Sequence, residues 1–264
     1  MPAEHMTTRE FLAARFGALG PGETIEIRPI HATSGRHHPR TFARTVNEAL
    51  AAIAAIPEGF EVYYGVNPRQ GRDGTKQGVA WLTALYADAD DKHFGNDHQA
   101  AYDALLAFEL IPTGIIDSGR GWHAYWELEE WLENTPANRD GIENMLRRLY
   151  LRLGGLDSVQ DISRILRVPG TQNWKNPSEP LCVSVAHWEA GRTYALAAFA
   201  PLLPPLVGQE VTYRETQALL DEADRPSLAT LRTLLGHIDP TLPYGEHTAI
   251  WAAVAYYYPD GEGL

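Results

Sequence analysis

The alternation of apolar and polar positions changes period several times along the chain, and each change marks an element. Thr7-x-x-Glu10 ahead of Phe11, Leu12 and Phe16 is a capping box that opens a helix ending at the glycines near Gly17 and Gly20. Residues 24–30 (TIEIRPI) alternate with the period of a strand, the Ala-rich stretch 41–56 predicts a helix, and residues 60–66 (FEVYYGV) predict a second strand. A polar, glycine-rich loop follows over 67–78 (NPRQGRDGTKQG). Beyond it, residues 81–90 end as a strand (LYADAD), 98–110 read as a helix, 112–116 as a short strand and 122–128 (WHAYWEL) as another. Residues 136–153 form a helix with Ile142, Met145, Leu146, Leu149 and Leu153 on one face, and a last β region takes in 165–168 and 181–188.

That order is β-α-β-β-α-β, the split-βαβ plan of ferredoxin-like and RNA-recognition folds, and it predicts an α+β protein. In that plan the first and third strands lie side by side in the middle of the sheet. The expected organisation is a catalytic domain over 1–200, made of an N-terminal α/β unit (about 1–78) and an RNA-recognition-like core (about 79–200). A Pro-rich linker at 201–210 and a small helical C-terminal region at 211–264 follow. The chain stops just after the apolar helix expected at 248–258, which predicts that the natural chain continues past Leu264.

Composition narrows the class. Hydrophobic residues make up 44% and charged residues 21%, the proportions of a globular protein. The richest apolar run, LAAFAPLLPPLV from Leu196, is broken by prolines and too short to span a membrane. The N-terminus lacks the basic and apolar regions of a secretory signal, and the single cysteine, Cys182, excludes a disulfide framework and a Cys-based zinc site. A cytoplasmic protein is expected. The net charge of −12 opposes indiscriminate binding to nucleic acid, but basic residues gather at Arg36, Arg40 and Arg44, at Arg69, Arg72 and Lys76, and between Arg147 and Lys175. Arg36, Arg40 and Arg69 are candidate template contacts on this ground.

Three segments carry candidate chemistry. Asp88 and Asp90, two apart on a strand, share one face, and their hard oxygens suit Mg²⁺ or Mn²⁺; an acidic turn that ends a strand would also place them there. Ser118-Gly-Arg-Gly-Trp-His123 opens the third strand with two glycines, with Ser118, Arg120 and His123 as donors for a triphosphate. Antiparallel pairing of the first and third strands puts His123 at the same end as the two aspartates. Asp157 and Asp161 each offer a further carboxylate for a two-metal site, with Arg164, Arg167 and Lys175 nearby to balance phosphate charge.

In this order LYADAD, SGRGWHAYW and LDSVQDISRILRVPGTQNWK resemble the three motifs of the archaeo-eukaryotic primases, and most of all the primase-polymerases of phages, plasmids and related mobile elements. The resemblance runs over residues 61–188. It implies an RNA-recognition-like catalytic core joined to an N-terminal α/β unit, and template-dependent nucleotidyl transfer from a (d)NTP to a 3′-hydroxyl. It implies Mg²⁺ or Mn²⁺ on Asp88, Asp90 and Asp157, with Asp161 competing for the third place, and His123, Arg167 and Lys175 on the triphosphate. The partners implied are a single-stranded DNA template, a primer strand and a helicase domain or protein. Gly121 departs from the pattern, since many members have serine two residues before the histidine. The alternative from another class is a non-catalytic replication-initiation module that binds single-stranded DNA on the same sheet. A metal-dependent phosphoesterase is a third.

Overall fold

A computed structural model describes residues 6–154, 156 and 160–206. In chain order the elements are α1 (Thr8–Phe16), β1 (Glu23–His31), β2 (Thr41–Ala43), α2 (Val46–Ala54), β3 (Phe60–Gly65) and β4 (Arg69–Gln70), then β5 (Trp81–Asp90), α3 (His98–Leu106), β6 (Gly114–Asp117), β7 (Gly121–Glu133) and α4 (Pro136–Arg152), and last β8 (Ile165–Arg167), β9 (Gln172–Asn173), β10 (Leu181–Cys182) and β11 (Ser184–Trp188). The fold is α+β. The chain divides into two compact units, 1–205 and 206–264. The helices expected in the C-terminal region, and Asp157, lie outside the described residues. Among the described residues no helix is long and apolar enough to cross a membrane.

Among the described residues, two larger antiparallel sheets and a two-stranded ribbon, β9–β10, build the first unit. One runs β2-β1-β3-β8, with β4 also pairing β1; the other runs β11-β6-β7-β5. In the second, β5-α3-β6 is a split βαβ unit with β7 between its strands, as the pattern predicts. Two expectations are corrected. The fourth strand, β11, pairs with β6, so β5 is an edge strand instead of a central one, and α4 packs against it. Residues 165–167 do not join this sheet: they add to β3 through Tyr63↔Arg167 and Gly65↔Ile165, extended by Val66 N–H to the Arg164 carbonyl and Val168 N–H to the Val62 carbonyl.

Local chemistry explains most boundaries. Thr7 and Glu10 cap α1 reciprocally, as a capping box should. The helix expected from residue 41 begins only at Val46, because Thr45 is its cap and accepts from Glu48 N–H, while Thr41 and Phe42 pair with Ile27 and Glu26 of β1. Ile142, Met145, Leu146, Leu149 and Leu153 of the α4 region are all buried.

The sheets are joined through buried side chains. Phe11 of α1 packs edge-on against Tyr64 of β3, Tyr125 of β7 and Trp188 of β11. The Tyr64 hydroxyl donates to that of Tyr125 at 2.8 Å. Arg15, fully buried, donates to Glu127 of β7 and to the Val66 carbonyl (2.6 Å). Asn67 accepts from Thr83 N–H (3.0 Å) and donates to the Ile162 carbonyl (3.0 Å). Satisfied polar groups of this kind hold one geometry more strictly than apolar packing does.

Candidate active site

The site lies where the end of β5 meets β8. On β5, Leu85, Ala87 and Ala89 are wholly buried on one face, and the opposite phase carries Asp88 and Asp90. In the register with β7, Asp88 stands opposite His123 and Asp90 opposite Gly121. His123 Nε2 is 3.7 Å from Asp88 Oδ1, and Arg164 Nη2 donates to Asp88 Oδ2 at 2.6 Å. Burial works to raise the Asp88 carboxyl, but His123, Arg164 and Arg167 outweigh it and hold the group below its ordinary value. Burial pushes His123 down to about 4, with Arg167 and Arg164 acting in the same direction, so the imidazole is neutral at pH 7. Its Nδ1 is buried with no hydrogen-bond partner among the described residues.

The turn between β6 and β7 is built for close approach. Gly121 has φ +144°, and a Cβ there would run into the Ala89 carbonyl oxygen and come within 2.8 Å of Asp90 Cα. A serine in this place would push β5 away, which is why glycine stands here. Ser118 is buried and its hydroxyl donates to the Gly121 carbonyl (2.9 Å), so it closes the turn. Arg120 is exposed on this turn. The β9–β10 ribbon packs behind it, with Asn173 donating to the Ser118 carbonyl (2.7 Å) and Lys175 exposed just beyond. His98 bridges Asp91 (3.0 Å) and Asp117 (3.5 Å) and stacks on Trp122, tying the ends of β5 and β6 together.

Arg167 lies on β8 opposite Tyr63, its guanidinium 5.3 Å from the Tyr63 ring and bonded to Glu61. Arg28 flanks Tyr63 on its other side, and Arg40 lies 3.4 Å from Glu26. Burial first, and then Arg40, lower the Arg28 pKa, and the Arg28 Nε is buried with no hydrogen-bond partner among the described residues. Arg28, Tyr63 and Arg167 thus form a row across three strands that ends at Asp88, with Arg40 beyond Arg28. Arg36 is exposed on the β1–β2 loop.

Several expected contacts fall elsewhere. Arg69 is corrected: it is fully buried, paired with Glu26 at 2.9 Å and donating to the Ser163 carbonyl at 2.8 Å, and has no surface to offer a template. Asp161 spends one carboxylate oxygen on Ser163 N–H (2.7 Å) and hydroxyl (2.6 Å) in its own turn, and its other oxygen lies 3.9 Å from Lys76. Among the described residues no group of three or more His, Cys, Asp or Glu side chains is gathered to hold a metal ion. Two carboxylates sharing a face still fit Mg²⁺, which keeps several waters and takes its remaining ligands from phosphate oxygens. Glu61 is a site residue that motif reasoning misses. Its signal is a carboxylate in the otherwise apolar FEVYYGV strand, where burial demands a partner.

No protein-family model matches the chain, and no curated protein matches it. Among solved structures, the primase-polymerase domain of cyanophage S-2L superposes with a TM-score of 0.54 at 17% identity, over 74% of this chain and 95% of that one. Primase RepB′ gives 0.50 at 16% identity, over 96% of this chain and 76% of that one. Two sheets meeting at an aspartate, a histidine and two arginines are therefore carried on a fold similar to that of these two primase domains.

Proposed function

We propose that this chain is a template-dependent nucleotidyltransferase that extends a 3′-hydroxyl, or an initiating nucleotide, with (d)NTPs on single-stranded DNA in the replication of a phage, plasmid or related element. The observation that carries this reading is the meeting of Asp88, His123 and Arg164 at one point, with Arg167 beside them, on a primase-type fold.

Asp88 and Asp90 would hold a divalent ion, Mg²⁺ or Mn²⁺, with Asp157 as the proposed third carboxylate. Such an ion, when bound, neutralises phosphate charge and acidifies the attacking hydroxyl. In the reaction the 3′-hydroxyl gives up its proton to solvent, its oxygen forms a bond to the α-phosphorus, the bond to the bridging oxygen breaks, and pyrophosphate leaves. Neutral His123, buried with its Nε2 3.7 Å from Asp88 Oδ1, would act on the phosphates from behind that carboxylate without adding charge to a site already rich in arginine. Arg164 and Arg167 supply the guanidinium N–H groups not taken up by Asp88 and Glu61, while exposed Arg120 and Lys175 attract the triphosphate from the turn and the ribbon. Arg40 and Arg28 continue the row of positive charge away from Asp88, and with Arg36 they are the proposed contacts of the template strand.

The experiment is incorporation of labelled nucleotide opposite a single-stranded template, with Mg²⁺ or Mn²⁺, by the wild type and by Asp88→Asn/Asp90→Asn. Incorporation by the wild type alone is expected; equal incorporation by both overturns the assignment. A non-catalytic binding module would instead hold the template without metal and synthesise nothing.

A further inference from the structure

Glu61 takes no part in the chemistry above, yet it is a carboxylate only 8% exposed at the edge of the site. Both of its oxygens are engaged. Oε1 accepts from Arg167 Nη2 at 2.6 Å and Nε at 3.2 Å, and Oε2 accepts from the Tyr63 hydroxyl at 2.7 Å. Residues 61 and 63 share a face of β3, Tyr63 stands opposite Arg167 of β8, and the guanidinium covers the Tyr63 ring. The three side chains therefore close into one unit: carboxylate to guanidinium, guanidinium to ring, ring hydroxyl back to carboxylate.

A guanidinium carries five N–H donors in a planar fork. With Nε and Nη2 held by Glu61, the fork cannot rotate, and Nη1 is the nitrogen left for a further anion. An ion pair of this burial adds little net stability, since desolvation cancels most of the attraction. A negative charge beside a phosphate site also weakens the local field. What Glu61 supplies is direction.

We infer that Glu61 is a positioning residue that holds Arg167 and Tyr63 as a rigid platform and aims Arg167 Nη1 at the phosphates of the incoming nucleotide. This rests on the nucleotide-binding reading above and adds to it the residue through which Arg167 gains its geometry.

The test is a double-mutant cycle read by binding. A fluorescent deoxyadenosine triphosphate is titrated, with Mg²⁺ present, into the full chain carrying no substitution, Glu61→Gln, Arg167→Gln, or both. Losing an oriented, charge-assisted hydrogen bond should weaken binding about tenfold in Glu61→Gln and at least as much in Arg167→Gln. The double variant should bind no more weakly than Arg167→Gln alone, because Glu61 has nothing left to orient. Fold-changes that multiply, or a Glu61→Gln protein that binds like wild type, overturn the inference. If Glu61→Gln does not fold, Arg167→Lys decides: it keeps the charge but loses the fork. Wild-type affinity in that variant shows that orientation is irrelevant, and a loss of about tenfold supports it. Wild-type protein that neither binds nor incorporates nucleotide sinks the function itself. Normal wild-type incorporation with multiplying effects sinks only the role of Glu61.

Discussion

Two Gly→Ala substitutions should act in opposite directions, and the contrast tests how β5 and β7 are joined at the site. Gly121 has φ +144°, and an added Cβ would meet the Ala89 carbonyl and lie 2.8 Å from Asp90 Cα. The disfavoured backbone costs about 1–3 kcal/mol for a residue with a side chain. Overpacking against backbone, which cannot yield as a flexible side chain does, adds about 1–3 kcal/mol. Gly121→Ala should thus lose about 2–6 kcal/mol, read as a fall of roughly 4–24 °C in melting temperature for a domain of this size. Gly141 is the control. It lies inside α4, nothing stands within 4 Å of its would-be Cβ, and alanine there should gain about 0.4–1 kcal/mol by restricting the unfolded chain. Urea unfolding of both variants beside wild type measures the pair. Because Asp90 pairs with Gly121 and Asp88 with His123, strain at Gly121 is relieved by moving the aspartates, so incorporation should fall on the order of 100-fold even where the protein remains folded. A Gly121→Ala protein as stable and as active as wild type would refute the close-approach argument, and the reason given for glycine at this position with it.

Three other outcomes follow from buried charge. Glu26→Gln leaves fully buried Arg69 without its carboxylate and should cost about 3–5 kcal/mol in urea unfolding; a loss under 1 kcal/mol would refute the pairing as drawn. His123 is held neutral in the folded protein with its pKa lowered to about 4, while the unfolded chain takes up a proton below about 6.5. Its contribution is therefore complete above pH 6.5 and lost as pH falls towards 4, on the order of 3 kcal/mol at about 1.4 kcal/mol per pH unit. In EDTA, His123→Gln should flatten stability between pH 4 and 6.5 relative to wild type, and parallel curves would reject the neutral imidazole. Arg164→Gln frees Asp88 Oδ2 from its 2.6 Å counter-ion, so Mn²⁺ should bind that variant about tenfold more tightly than wild type by electron paramagnetic resonance. Weaker binding would show that Arg164 does not compete for Asp88.

Much of this arrangement is legible in the sequence because it depends on short periods. The capping box at Thr7, the apolar face of α4 and the alternation in LYADAD are local patterns, and period 2 with antiparallel pairing is enough to place His123 at the same end as Asp88, though not the register that sets the two opposite each other. Partner choice between strands is not local. Ile165–Arg167 has the look of any short strand, and that it extends β3 instead of the core sheet depends on hydrogen bonds to Val62 and Val66, about a hundred residues earlier. The same holds for β11, whose pairing with β6 no local pattern announces. Charge misleads in its own way. Arg69 reads as a surface cation until its partner, Glu26, is seen beneath it, whereas Glu61 reads as part of a strand until its two partners are seen. Tyr86 and Tyr125 are likewise fully buried: the Tyr86 hydroxyl donates to the Asp161 carbonyl, and that of Tyr125 accepts from Tyr64.

The non-local pairing of β8 has a chemical consequence. The acids and the histidine come from the core sheet, through β5 and β7, while Arg167 comes from β8 and Arg164 from the residue just before it, both borne by the N-terminal sheet. Opposite charges that would meet a triphosphate from different sides in the proposed reaction are thus mounted on separate sheets, so neither sheet must hold a dense cluster of like charge by itself. The distance between the two groups is then set by what joins the sheets: Phe11 against three aromatic rings, the Tyr64–Tyr125 hydroxyl pair, Arg15 to Glu127 and Asn67 to Thr83. These residues touch no substrate in the proposed reaction, yet a shift of even 1 Å between the sheets would misplace Arg164 and Arg167 against Asp88. Buried polar links are suited to this task because they tolerate less sliding than apolar contacts of equal area.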